Sequence, residues 1–307
     1  MLFHGLGQWS SKQMVRTGIN SDEELVKATV LRSNSSFYWA MRLLPRKKRT
    51  AMFAIYAFCR GVDDIADESG TTQSKRTRLQ KRRIEVIAAL DGNPNTPLDR
   101  QLLIAKKCFK LRSADFLDII KGIAMDLKSE KADGRVRIKN MNELTLYCDR
   151  VAGAVGRLSN RVFGLTGRSG DKLASSLGRA LQITNILRDL LEDAEINRLY
   201  LPQAILKKHG IKKSDPREVI RSPLISNVCD EIAAVAEQDF QEAESILHGL
   251  ERKKTQPVII MKNIYQPTLK RLKRRGWTDL EKTVRLSKAE KIWIILRSGY
   301  LVWLKFT

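Results

Sequence analysis

Residues 58–68 read FCRGVDDIADE, and residues 182–195 read QITNILRDLLEDAE. Each stretch has two aspartates four residues apart within an otherwise apolar run, and these are Asp63, Asp67, Asp189 and Asp193. Residues at i and i+4 project from the same face of a helix, so each run presents a pair of carboxylates. Carboxylates among apolar side chains are costly to desolvate unless a cation joins them. The two stretches therefore predict two helices that face each other across a cavity holding divalent cations.

The ligand types indicate which cation this would be. Asn185 lies one helical turn before Asp189, so the candidate ligands carry oxygen only. Oxygen ligands suit Mg²⁺ rather than zinc, and Mg²⁺ bound through few carboxylates shares its shell with water and substrate phosphates. A solvated helix face is the alternative for such a spacing by itself. Because residues 50–62 and 177–191 are apolar nearly all round, they favour buried helices and hence the metal site.

An arginine accompanies each aspartate pair. Arg60 lies three residues before Asp63, and Arg188 directly precedes Asp189. Each guanidinium could simply form a salt bridge with its neighbouring acid. The functional alternative is that both grip the diphosphate oxygens that the metal also binds. The presence of an arginine at both aspartate pairs favours the second hypothesis. In it, the metal and the arginines together stabilise a departing diphosphate.

Composition limits the classes of protein that remain. The 307 residues carry a formal net charge of +22, which implies a negatively charged partner: nucleic acid, anionic lipid or a phosphorylated substrate. Nucleic-acid binding by a basic helical protein is the rival from another class, but it does not explain buried paired carboxylates. The four scattered cysteines indicate reduced thiols in a cytosolic protein and no zinc site. No signal-peptide core occurs in residues 1–20, and no apolar run is long enough to span a bilayer.

The pattern along the chain is helical, and it predicts a flexible segment at 1–20 and one all-helical domain at 21–307. Long helices are expected at 46–66, 141–166, 170–193, 224–248 and 257–275, and a final one at 287–304. A loop is expected at 69–75. Residues 134–140 (GRVRIKN) are the best candidate for a strand, although a loop is favoured there.

Four blocks of sequence resemble the squalene/phytoene synthase family. They are SNSSFYWAMRLLP (33–45), AIYAFCRGVDDIADE (54–68), YCDRVAGAVGRLSNRVFG (147–164) and ALQITNILRDLLEDAEINRLYLP (180–202). The resemblance implies an all-α, single-domain isoprenoid-synthase-type helical bundle around a central apolar cavity. A catalytically inactive family member is the remaining alternative, but the chain retains every motif acid and both arginines.

The resemblance also implies roles for individual residues. The implied metal ligands, for two or three Mg²⁺ ions, are Asp63, Asp67, Asn185, Asp189 and Asp193. The implied diphosphate-binding residues are Ser33, Asn34, Ser35, Ser36, Tyr56, Arg60, Gln182, Arg188, Arg198 and Tyr265. Tyr147 matches a tyrosine implicated in proton handling, with a core aromatic as its alternative, and Asp64 matches a supporting acid. Asn197 stands where the family often has glycine, and asparagine tolerates the left-handed backbone that such a turn requires.

The implied reaction is the head-to-head condensation of two farnesyl diphosphates to presqualene diphosphate, which feeds squalene and hopanoid synthesis. Alternatives are phytoene synthesis from geranylgeranyl diphosphate, and squalene or dehydrosqualene synthesis. No dinucleotide fingerprint occurs, because GAVGRLS (153–159) lacks the final glycine and the strand, so no NADPH is expected. Enzymes later in the same pathway are possible partners.

The positive charge and the last residues suggest contact with a membrane. Lysine and arginine recur along several predicted helix faces, which favours anionic membrane as a peripheral partner. The tail EKIWIILRSGYLVWLKF (290–306) is expected to be a final core helix, with an interfacial anchor as the alternative. The location predicted is the cytoplasm, with peripheral contact on the inner face of the cell membrane.

Overall fold

Helices form nearly all the regular structure of the computed structural model, which describes residues 22–32, 41–128 and 136–298. The helices are α1 (Asp22–Arg32), α2 (Arg46–Asp67), α3 (Thr72–Leu90), α4 (Pro97–Phe109), α5 (Ser113–Lys128), α6 (Met141–Cys148), α7 (Ala154–Phe163), α8 (Gly167–Arg188), α9 (Leu190–Glu195), α10 (Gln203–Lys208), α11 (Pro216–Ile220), α12 (Ile225–His248), α13 (Arg252–Arg275) and α14 (Lys288–Arg297). The expected all-α class is confirmed. The expectations for residues 1–20 and for Ser33 to Ser36 lie outside the described residues, and the division into one segment and one domain stays a prediction.

Helix α8 lies at the centre of the molecule. It packs against α7, α12 and α13, and its side chains from Leu173 to Leu187 are buried on almost every face. A helix that is apolar all round can be stable in water only when other helices surround it. Helix α2 is buried in the same way from Ala51 to Cys59, so both aspartate-bearing helices belong to the core.

Glycine at one position allows the central helix to approach its neighbour. A Cβ added to Gly178 on α8 would lie 2.7 Å from the backbone nitrogen of Gly153 and 2.8 Å from its Cα. Real side chains do not come so close to backbone atoms, so these two segments pack at a distance that only glycine permits.

Two helices expected to be continuous are interrupted at the site. Residues 149–153 form a π-helical turn between α6 and α7, and α8 ends at Arg188, so that Asp189 (φ −100°, ψ 19°) joins it to α9. The backbone N–H of Asp189 still donates to Asn185 O at 2.9 Å, and that of Asp193 to Asp189 O at 2.8 Å. Apolar periodicity cannot reveal such interruptions, because they keep nearly the same spacing of side chains.

The segment favoured as a loop contains a short strand. β1 (Val136–Arg137) pairs in parallel with β2 (Arg198–Leu199), with Val136 opposite Arg198. The expectation of a loop was therefore wrong for these residues. A two-residue strand has no readable alternation, and its partner lies about sixty residues away in sequence, so only tertiary packing defines it. The expected loop at 69–75 was also too long, because Thr71 caps α3, which begins at Thr72.

The last described helix is not part of the core. On α14 the side chains of Ile292 and Trp293 are each 57% exposed and that of Leu296 is 46% exposed. The expectation of a final core helix is therefore wrong for this part of the tail, while residues 299–307 lie outside the described ones. Within the described residues, no helix combines the length and the apolar character needed to cross a bilayer. Of the four cysteines, Cys108 is exposed and the others are buried.

Candidate active site

The first aspartate pair lies at the carboxyl-terminal end of α2. Asp63 is only 8% exposed. Burial is the main cause that raises its pKa well above the usual range of a carboxyl, and repulsion from Asp67 raises it further. Arg60 forms a 2.6 Å ion pair with Asp64 one helical turn away. Asp63 thus lies in an environment that disfavours its charge, and Asp64 holds Arg60 in place.

The second pair spans the joint between α8 and α9. Arg188 binds the Asp189 carboxylate with two hydrogen bonds of 2.6 Å, from Nε to Oδ1 and from Nη2 to Oδ2. Burial raises the pKa of Asp193 to about 7. Among the described residues no hydrogen-bond partner reaches either amide atom of Asn185, Oδ1 of Asp193 or Oε1 of Gln182. Buried polar atoms normally have partners, so these atoms indicate a polar ligand.

Arg198 connects the two pairs. Its Nη1 donates to Asp67 Oδ1 at 3.1 Å, and its charge also lowers the pKa values of Asp193 and Asp126, against the dominant effect of burial. Asn197, which directly precedes it, has a φ of 60°, as expected for the left-handed turn. A guanidinium therefore stands among acids from α2, α5 and α9, where it partly offsets their negative charge.

Aromatic hydroxyls line the side of the site next to α5. Tyr147 at the end of α6 stacks on Tyr200, with ring centroids 5.0 Å apart and planes at 22°. The Tyr200 hydroxyl donates to Oδ1 of Asp126 at 3.3 Å, and all three residues are about 1% exposed. Burial, with a contribution from Asp126, raises the pKa of both phenols well above the usual value. Both tyrosines are therefore neutral at physiological pH.

A largely apolar cavity opens beside the acids. It has a volume of about 990 Å³ including its open mouth, and side chains from α2, α7, α8 and α13 line it. Tyr56, Cys59 and Leu181 lie at the end nearest Arg60 and Gln182, while Phe163 and Leu173 lie farther along their helices. A pocket of this size and polarity suits a long hydrocarbon chain.

The donor set fits a hard divalent cation that is shared with a ligand. The candidate ligands supply oxygen only, and Asn185 and Asp193 retain oxygens without partners. Within the described residues, however, no three acidic, histidine or cysteine side chains converge closely enough to bind a metal by themselves. The protein oxygens would therefore have to be completed by oxygens of water and substrate.

The structure brings most of the predicted residues to this site. Gln182 and Asn185 are fully buried on α8, and Tyr265 on α13 lies beside Arg188. Asp126 was missed by the sequence analysis. The sequence does contain a sign of it: Asp126 follows Ile119 and Ile123 at the spacing of one helix face, and that face of α5 is buried.

Comparison with known proteins agrees with this geometry. The family model described as squalene/phytoene synthase matches residues 30–290. The chain belongs to this family. A presqualene diphosphate synthase of Rhodopseudomonas palustris is 43% identical over 86% of this chain and 92% of its own length. A chloroplastic phytoene synthase of an Oncidium hybrid cultivar is 32% identical over 84% of this chain and 62% of its own.

A solved family structure shares the fold. The crystal structure of a dehydrosqualene synthase in complex with ligand superposes with a TM-score of 0.76, at 25% identity, over 93% of this chain and 97% of the other. The isoprenoid-synthase-type bundle expected from the four sequence blocks is thereby confirmed.

Proposed function

We propose that the protein condenses two molecules of farnesyl diphosphate head to head into presqualene diphosphate, releasing one diphosphate. The observation that carries this proposal is that the two aspartate pairs, with their arginines, lie at the carboxyl-terminal ends of α2 and α8, the helices whose preceding turns line a cavity with apolar walls. The higher identity to a presqualene diphosphate synthase than to a phytoene synthase favours the shorter farnesyl chain. The product would feed squalene or hopanoid synthesis.

The two aspartate pairs would hold Mg²⁺ together with the substrate diphosphates. Bound there by Asp63, Asp67, Asn185, Asp189 and Asp193, Mg²⁺ would neutralise the diphosphate oxygens and so ease departure of the leaving group. The residues themselves fit this task, because buried acids with raised pKa values gain most from a nearby cation.

The arginines supply the other part of the electrostatic stabilisation. In the free protein Arg60 and Arg188 are paired with Asp64 and Asp189 at 2.6 Å. A diphosphate offers a guanidinium the same two-oxygen geometry as a carboxylate. Each arginine would therefore move from its acid to the diphosphate. Tyr265, which lies beside Arg188, would help to orient the diphosphate. Ser33 to Ser36 precede, in the sequence, the first described residue that lines the cavity, Met41. Their contact with a diphosphate stays a prediction.

The apolar walls protect the reactive intermediate. Ionisation of the first farnesyl diphosphate leaves an allylic cation, whose C1 is attacked by the 2,3-double bond of the second molecule. Water would quench the cation, so a cavity lined by side chains such as Leu177 and Leu181 favours carbon–carbon bond formation. Loss of a proton then closes the cyclopropane, and the second diphosphate remains on the product.

One incubation tests this proposal. Purified protein would be mixed with Mg²⁺ and farnesyl diphosphate without NADPH, and the product identified by mass spectrometry. We expect presqualene diphosphate and one released diphosphate per product, and no turnover by Asp63→Asn. A parallel incubation with geranylgeranyl diphosphate tests phytoene synthesis, and squalene or a hydroxylated product from farnesyl diphosphate would also contradict the proposal.

We also propose that the protein binds the surface of an anionic membrane, where prenyl substrates and products partition. Two features support this: the net charge of +22, and the exposed apolar side chains of Ile292, Trp293 and Leu296 on α14. Basic residues beside exposed aromatic and aliphatic ones are typical of helices that lie in the headgroup region.

A further inference from the structure

A buried carboxylate next to the site has no role in the chemistry described so far. Asp126 on α5 is 1% exposed, and no described basic residue forms an ion pair with it. Its Oδ1 accepts a hydrogen bond from Tyr200, but no described residue donates to Oδ2. A buried carboxylate with an unsatisfied oxygen costs stability, so a purely structural role would be served better by asparagine or an apolar residue.

The surroundings of Asp126 connect it with the charged residues of the site, because Arg198 and Asp67 both act on its pKa. Tyr200 donates a hydrogen bond to it and stacks on Tyr147, and each of the two phenols influences the pKa of the other. Pairing of β2 with β1 fixes the backbone just before Tyr200. Residues two apart in an extended segment point to the same side, which explains how Arg198 reaches Asp67 while Tyr200 reaches Asp126.

We propose that Asp126 is the final acceptor of the proton lost when the cyclopropane closes, reached through Tyr147 and Tyr200. The C–H electron pair of the cationic intermediate forms the new carbon–carbon bond, and its proton passes to the Tyr147 oxygen. Tyr147 in turn passes its own proton to Tyr200, and Tyr200 passes its proton to the Asp126 carboxylate. Both tyrosines end neutral, Asp126 ends protonated, and the positive charge of the intermediate is cancelled.

Two properties of Asp126 suit this role. Burial raises its pKa to about 6, so the carboxylate is ionised at neutral pH and is a stronger base than an exposed aspartate. It also lies behind two neutral tyrosines, away from solvent, so the relay removes a proton without admitting water to the cation. The inference rests on the proposed function, because it concerns the proton lost in that reaction.

The test compares product formation with ionisation. Asp126→Asn keeps the side-chain shape and an oxygen for the Tyr200 hydrogen bond, but it cannot accept the proton. We expect this variant to keep most of its Mg²⁺-dependent diphosphate release, while presqualene diphosphate per diphosphate released falls about 100-fold and prenyl alcohols appear. Tyr200→Phe, which breaks the relay without touching Asp126, should show the same loss of coupling.

Stability separates this role from a structural one. Asp126→Asn should melt at the same temperature as the unaltered protein or higher, because it removes a buried charge. The matched control is Asp99→Asn: Asp99 is also 1% exposed but forms a 2.9 Å ion pair with Arg82 away from the site. This control should melt lower and keep full coupling.

The outcomes are distinct. Unchanged coupling in Asp126→Asn or in Tyr200→Phe overturns the inference, as does a coupling loss in Asp126→Asn that the Asp99→Asn control shares. If the unaltered protein forms no presqualene diphosphate, the proposed function itself fails, which is a different result from either.

Discussion

At the scale of single residues, the site concentrates charges that the free protein does not fully neutralise. Asp63, Asp126 and Asp193 are each nearly inaccessible to solvent, and burial raises the pKa of all three. Two arginines offset part of the negative charge of the site: Arg198 pairs with Asp67, and Arg188 pairs with Asp189. Such an arrangement is unfavourable for folding, and strongly shifted pKa values of this kind are typical of functional sites.

Replacement of Asp63 by asparagine should stabilise the free protein. The pKa of Asp63 is higher in the folded protein than in the unfolded one. Its carboxyl group therefore does not reduce the free energy of unfolding below pH ~4, and it reduces that free energy fully only above the folded pKa. In EDTA we expect Asp63→Asn to increase the free energy of unfolding by about 1 kcal/mol near pH 8 and to have little effect near pH 4. Denaturant unfolding at both pH values would check this, and a destabilised variant at pH 8 would contradict it.

At the scale of elements, interruptions of regular structure place the functional groups. The π-helical turn at 149–153 begins two residues after Tyr147, and the joint at Asp189 separates Asn185 on α8 from Asp193 on α9. The left-handed turn at Asn197 sends the chain into β2, which carries Arg198 to Asp67. Each of these interruptions gives a nearby side chain a direction that it would not have in a regular, continuous helix.

The turn at Asn197 should tolerate glycine but not valine. With a φ of 60°, a β-branched residue would be strained by about 1–2 kcal/mol, whereas glycine adopts this conformation freely. We expect Asn197→Gly to keep the turnover of the unaltered protein. Asn197→Val should lose turnover and show faster hydrogen exchange at 196–201, because the Arg198–Asp67 contact depends on the turn. Equal turnover of the two variants would refute this role.

The close contact of α8 with the π-helical turn should be sensitive to a single methyl group. Gly178→Ala places Cβ 2.7 Å from the Gly153 backbone nitrogen, which requires the helices to separate at a cost of about 1–3 kcal/mol. The matched control is Gly61→Ala on α2, where no atom lies within 4 Å and helix propensity predicts a gain of up to about 1 kcal/mol. Thermal unfolding of both variants measures the difference, and similar melting temperatures would contradict the prediction.

At the scale of the whole molecule, the proposed function assigns different tasks to the apolar cavity, to the neighbouring acids and arginines, and to the basic surface with its exposed apolar helix. In the proposed reaction the cavity would hold hydrocarbon chains, and the aspartate pairs with their arginines would hold diphosphates. The surface charge of a protein with +22 would hold it at the anionic surface where these amphiphiles are found.

Membrane contact through α14 should depend on its apolar side chains and on charge. We expect the unaltered protein to float with vesicles that contain anionic phospholipid, but not with neutral vesicles, and to dissociate in high salt. The double replacement of Ile292 and Trp293 by serine should weaken flotation markedly while leaving turnover in detergent unchanged. Undiminished flotation would show that α14 is not the contact surface.

The sequence by itself determined the fold class, the two aspartate pairs, their arginines and the apolar character of the cavity, because helix periodicity and i, i+4 spacing are local properties. Only the tertiary structure decided the parallel pairing of Val136 with Arg198, the bridge from Arg198 to Asp67, and the stack of Tyr147, Tyr200 and Asp126. These contacts join residues from 53 to 131 positions apart in sequence. No local preference encodes such contacts, since they form only when the helices pack and bring distant segments together.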